Sequence, residues 1–201
     1  MLHTLPLGSE LPLVLDGKIS CLTRRCGLEN FVTAVRHVQA LPYGRTSRPD
    51  YELVLTECRG TCSSKHALLA ALARENGLAV ELVLSIYEMT EANTPGVGEE
   101  LARHGLSSIP EAHCYLRTDR GVIDVTMPEG SPTGTARHFL HEEAIRPEDV
   151  GAYKTSVHRR VLAAWLHGAG RAHLELDSAW AVREACISAL SHHASKSKHT
   201  A

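Results

Sequence analysis

The run Arg59-Gly60-Thr61-Cys62-Ser63-Ser64-Lys65-His66 places a thiol just where an Ala- and Leu-dense stretch begins. A cysteine in the first turn of a helix faces backbone N–H groups and the positive end of the helix dipole, both of which favour thiolate. The same N–H groups can hold the oxyanion formed when that thiolate attacks a carbonyl. Gly60 lets the chain turn tightly and leaves room for a substrate, while Lys65 and His66 can add positive charge nearby. Cys62 is therefore the candidate nucleophile.

A thiol nucleophile needs a base, and the base needs an orienting group. His113 lies in EAHCYLR and Asp124 in GVIDVT, two β-rich runs joined by Thr118-Asp119-Arg120. If the loop is 117–120, Leu116 pairs with Gly121 and His113 sits directly opposite Asp124. If the loop is only Asp119-Arg120, the two become diagonal neighbours on one face, within roughly 7–8 Å at the backbone. An odd loop without a bulge would put them on opposite faces. Asp124 would then fix the imidazole tautomer and stabilise the imidazolium, leaving the other ring nitrogen for the thiol.

Positioning these groups takes a definite order of elements. Apolar residues at helical spacing predict a helix from about 27 to 41, ended by Pro42 and Gly44. Residues 43–50 read as a polar loop, 51–56 (YELVLT) as a strand, and 62–76 as a helix with Gly77 as its C-terminal cap. A buried strand is expected over 78–87 and a Gly/Pro-rich excursion over 88–110 with one short helix at 97–103. Strands follow at 111–117 and 121–127. Residues 1–20 read as a surface arm or edge strand. The last third reads as helices over 147–166 and 177–190, the second led by Asp177 as N-cap, and then a disordered tail over 191–201. The stripe of Val157, Val161, Leu162, Trp165 and Leu166 suits either a core or a homodimer surface.

Composition bounds the function. The chain has 201 residues, 21 basic and 23 acidic side chains and a formal charge of −2, which excludes a strongly basic nucleic-acid binder. An apolar share of 43% is ordinary for a globular domain that builds its core without cross-links or metal. One domain over 1–201 is expected. There is no run of 18 apolar residues and no basic N-terminal region ahead of an apolar one, so neither a signal peptide nor a membrane span is expected. The six cysteines, with no CxxC pair, fit thiols in the cytoplasm.

The ordered set Cys62, His113, Asp124 resembles the transglutaminase-like superfamily. The likeness rests on RGTCSSKHALLAALAREN and on HCYLRTDRGVIDVT and covers about residues 28–128. It implies an α+β, papain-like core in which the nucleophile helix packs on an antiparallel sheet, with 147–190 as a helical extension. It also implies Cys62 as nucleophile, His113 as general base and acid, and Asp124 as orienting carboxylate. The expected activity is cysteine-dependent acyl transfer: an amide or thioester hydrolase, or an amide-forming transferase, acting on a small-molecule or peptide acyl substrate without a cofactor or metal. The family's side-chain oxyanion donor has no clear counterpart; Gln39 and Tyr43 are candidates beside the Cys62 backbone N–H. Tyr115 stands where many members have tryptophan.

Two other classes compete. The same fold can serve as a catalytically silent binding module. Cys58, Cys62 and His66 recur every four residues and, on one continuous helix, would share a face that suits zinc, with His113 or Cys114 as fourth ligand. Gly60 and Thr61 argue against a helix that begins before Cys58.

Overall fold

The computed structural model describes residues 2–129, 138–168 and 174–196, with side chains described for 3–129, 138–168 and 174–190. The fold is α+β: helices α1 (Lys18–Arg25), α2 (Phe31–Ala40), α3 (Leu53–Thr56) and α4 (Cys62–Glu75) precede strand β1 (Glu81–Met89). Helix α5 (Gly98–Arg103), strands β2 (Ile109–Thr118), β3 (Gly121–Ile123) and β4 (Phe139–Ile145), and helices α6 (Ala152–Leu166) and α7 (Leu176–Lys196) follow. Single 3-10 turns lie at Leu2–Thr4 and Pro147–Val150. The strands form one four-stranded antiparallel sheet in the order β3-β2-β1-β4.

The chain divides into two compact units, and the division runs through the two long strands, between Leu84 and Ser85 and between His113 and Cys114. Length and composition predict a single domain over the same stretch. The first unit comprises 1–84, 114–131 and 143–151, and the second 85–113, 132–142 and 152–201.

The first unit is built around α4. Its residues from Cys62 to Ala73 are all buried, the pattern of a helix enclosed on every side. It packs against α1, α2, α3 and the Pro147–Val150 turn. Its last residue also caps a neighbour: α1 starts after Gly17, which has no side chain to offer, and Glu75 accepts the N–H groups of Ile19 and Ser20 at 2.9 and 2.7 Å. Beyond α4 the chain turns through Gly77 at φ +63°, a left-handed position that favours glycine.

Three expectations are corrected in this unit. Residues 51–56 form no strand; Leu53–Thr56 is a single helical turn whose buried residues, Val54 and Leu55, are adjacent rather than alternating. A six-residue apolar run does not separate strand from helix by periodicity. The N-terminal 20 residues contain the start of α1 and one isolated bridge, Pro12 to Asn30, in place of an edge strand. Third, β3 stops at Ile123 instead of 127, because the backbone beyond it bonds to α4.

The second unit has its own core of Tyr87, Met89, Val97, Leu101, Ile109, Leu162, Leu166, Ala179, Val182, Cys186 and Ile187. Trp165 packs against that core and donates its indole N–H to Glu88 at 2.9 Å. Leu162 and Leu166 of the α6 stripe belong to that core. At one end of this unit Arg183 meets Glu111 through two parallel contacts, Nη2 to Oε1 at 2.6 Å and Nε to Oε2. Both side chains are buried, at 9% and 7% exposure. Helix α7 starts at Leu176, so Asp177 lies inside its first turn, and it continues to Lys196, into the stretch expected to be disordered. The remainder of that tail lies outside the described residues.

Candidate active site

Helix α4 begins with Cys62 as its first residue. Thr61 is the N-cap: its hydroxyl accepts the Ser64 N–H at 3.4 Å and the Ser64 hydroxyl accepts the Thr61 N–H at 3.0 Å, a reciprocal capping box. The helix start is thereby pinned, and Cys62 is held where the dipole is most positive. The thiol is buried, with the residue 7% exposed, and lies 3.8 Å from the Ser63 hydroxyl. Cys114, also buried, places its own sulfur 3.8 Å from that hydroxyl.

The polar residues of the first two turns are buried, so each must find a partner inside the protein. His66 is fully buried; its Nδ1 lies 2.7 Å from the Cys62 carbonyl and its Nε2 accepts the Val125 N–H at 2.8 Å. A carbonyl can only accept, and an N–H can only donate, so the ring is neutral with its proton on Nδ1. His66 therefore adds no positive charge beside Cys62, contrary to the sequence expectation. With both nitrogens engaged, it is not a base for the thiol either.

Lys65 is also fully buried. Its ammonium donates to the carbonyls of Leu41 at 2.7 Å, Val125 at 3.2 Å and Thr126 at 3.0 Å. Burial pushes its pKa down to about 8, with Asp124 and Cys62 acting in the opposite direction. Between them, Lys65 and His66 take the backbone bonds of residues 125 and 126 that a longer β3 would have given to the sheet.

Asp124 follows β3 directly. Its Oδ1 accepts the Thr126 N–H at 3.0 Å and lies 3.7 Å from His66 Nε2. The carboxylate is about one-third exposed, at 32%, rather than buried as a core pair would be. The pairs Leu116–Ile123, Arg117–Val122 and Thr118–Gly121 leave Asp119-Arg120 as the loop, the shorter of the two even alternatives. Cys62 and Asp124 thus share the first unit, with His66 joining the Cys62 carbonyl to the Val125 N–H next to Asp124. His113 ends the second unit's part of β2, one residue before Cys114. It is 4% exposed, its ring meets Tyr87 edge-on at 6.2 Å between centroids, and its carbonyl accepts the Ser85 hydroxyl at 3.3 Å.

Of the upstream oxyanion candidates, Tyr43 is brought to the helix start. It forms an isolated parallel bridge with Gly60, with Gly44 N–H to Gly60 carbonyl and Gly60 N–H to Pro42 carbonyl both at 3.2 Å. Gln39 lies half-buried at the end of α2. The zinc arrangement fails on geometry. Cys58 precedes α4 in a left-handed turn at φ 51°, its sulfur directed to the Leu55 carbonyl at 3.6 Å, and His66 has neither nitrogen to spare. Among the described residues no group of three or more His, Cys, Asp or Glu side chains is arranged to hold a metal ion.

Gly60 is crowded. A Cβ there would meet Lys65 Cγ at 2.8 Å, Ser64 Oγ at 3.0 Å and Val54 Cγ2 at 3.1 Å. Gly60→Ala is expected to lose about 1–3 kcal/mol by pushing the Lys65 stem off its seat. Urea denaturation measures the loss; an unchanged midpoint would show that the stem yields freely.

No family model, no curated protein and no solved structure matches this chain. Among the described residues no helix is long and apolar enough to cross a membrane.

Proposed function

We propose that the chain is a cysteine-dependent acyl-transfer enzyme of the transglutaminase-like kind, acting on an amide or thioester carbonyl. The observation that supports it best is Cys62 itself: a thiol at the capped start of an enclosed helix, whose next two turns spend a histidine and a lysine on holding the segment that carries Asp124. Burying that many polar groups costs stability, and an acyl-transfer centre accounts for the cost.

The Cys62 thiolate attacks the carbonyl carbon, and the helix-start N–H groups steady the oxyanion. As the tetrahedral adduct collapses, the carbon–nitrogen or carbon–sulfur bond breaks and His113 gives its proton to the leaving group. Water or an amine then attacks the thioester, returning a proton to His113 and the thiolate to Cys62. Asp124 orients the imidazole. Hydrolysis or amide formation follows from which nucleophile reaches the acyl-enzyme. A thiol enzyme of this kind suits a reducing compartment such as the cytoplasm and a small-molecule or peptide acyl donor.

An electrophilic acyl probe tests this without presupposing a substrate. Incubated with the folded chain and mapped by peptide mass spectrometry, it is expected to modify Cys62 ahead of the exposed Cys26 and Cys58. In Cys62→Ala the fast adduct should vanish. Modification of Cys62 no faster than Cys26 would overturn the reading.

A further inference from the structure

Lys65 is an expensive residue to keep. It stands in the first turns of α4, where the helix dipole opposes a cation, and it has no exposed surface. An apolar side chain of similar length would fill the space without the desolvation cost. Nor does it act as a nucleophile: its three N–H bonds go to the carbonyls of Leu41, Val125 and Thr126, which keeps the nitrogen an ammonium donor. Cys62 and Lys65 are three residues apart on one helix, the spacing at which side chains are neighbours.

We propose that Lys65 is a positioning residue for the acyl-transfer centre: its clamped ammonium is the fixed positive charge that holds the Cys62 sulfur as thiolate. This rests on Cys62 being the nucleophile. The clamp matters because an unclamped lysine would swing toward water and leave a buried thiol without its cation, and burial favours the neutral form. Among the described residues the ionisable groups that act on the ammonium are Cys62 on α4 and Asp124 in the segment after β3. The loop after α2 presents the Leu41 carbonyl to it, and the Gly60 turn presents backbone against its stem. His66, the next residue, is neutral in its hydrogen-bonded form. Asp124 offsets part of the lysine's charge, so the thiolate and the carboxylate share one cation.

The test compares wild type with Lys65→Met by the pH dependence of iodoacetamide alkylation at Cys62, read peptide by peptide. With the fold confirmed by circular dichroism, the alkylation midpoint is expected to rise by about one pH unit or more on loss of the charge. A midpoint that stays put while thermal stability falls would mean that Lys65 is only a structural clamp, and would overturn the proposal. Should the variant not fold, wild type alone decides. The Lys65 ammonium is titrated by ¹⁵N NMR before and after Cys62 is capped by iodoacetamide, and its midpoint is expected to fall once the anionic partner is gone, since coupling between two sites is reciprocal. An unchanged lysine midpoint overturns the proposal. Failure of the acyl-transfer reading looks different: Cys62 then alkylates in wild type no faster than Cys26 at any pH.

Discussion

His113→Gln is expected to lower kcat/KM for an activated acyl ester by about 10³-fold, within the range for removal of a general acid–base group. Glutamine is close in size and polarity to histidine, so the buried position in β2 should tolerate it. The edge-on contact with Tyr87 is lost, a matter of about 1 kcal/mol. The two effects separate cleanly: thermal denaturation reports the packing change and steady-state turnover reports the proton transfer. The pH profile adds a third readout, since the limb contributed by an imidazole should disappear with it. Under the proposed roles, Asp124→Asn should cost less than His113→Gln, because an amide keeps a hydrogen-bonding oxygen and loses only the charge. If His113→Gln keeps turnover within a few-fold of wild type while folded, His113 is not the base.

The largest expected loss of stability lies in the second unit. Arg183→Met should destabilise the chain by about 3–5 kcal/mol, because it leaves the Glu111 carboxylate buried without its counter-charge. Burial by itself would push the Glu111 carboxyl up, but the Arg183 charge and its hydrogen bonds outweigh that and hold it below its ordinary value. The sign follows from linkage. A carboxyl whose folded pKa is depressed contributes stability above its unfolded pKa, and loses that contribution as pH falls through the folded value. Urea midpoints for wild type and Arg183→Met should therefore lie far apart at pH 7 and converge in acid. The double variant Glu111→Met, Arg183→Met should recover most of the loss, since it removes both desolvated charges. If the single variant loses less than about 1 kcal/mol, the pair is better hydrated than its burial indicates. The arginine also lies over Trp180, 5.4 Å from its ring centroid, with Arg159 at 5.2 Å, so part of any residual loss in the double variant reflects that stacking.

Elements with strong local signals were legible from sequence, and elements set by long-range pairing were not. Helix α4 announces itself through Ala and Leu density and Gly77, and it forms within one residue of expectation. The β2–β3 turn has the even loop that pairing of His113 with Asp124 requires, but the strand is shorter than its apolar run because α4 takes its backbone bonds. Strand β4 went unread: FLHEEAI is half polar and lies at the sheet edge, where one flank of the strand lacks a partner to impose a pattern. At the site, the placement of Cys62 at a helix start was readable from Gly60-Thr61-Cys62. The roles of Lys65 and His66 were not, because both partners are main-chain groups some 60 residues away. A lysine inside an otherwise enclosed helix was the one clue, and it reads as such only once the enclosure is known.

The handover of residues 125 and 126 from sheet to helix has a bearing on how the centre comes into being. The hairpin can close by itself, since its turn spans two residues, yet the backbone beyond Ile123 stays unsupported until α4 arrives. The bonds that seat Asp124 span 59, 60 and 61 residues along the chain. Loops of that length close late, after local helices and turns are in place. The carboxylate is thus seated by the same event that docks the thiol's helix, and a half-folded chain, with α4 or the hairpin formed alone, holds an unassembled and harmless cysteine.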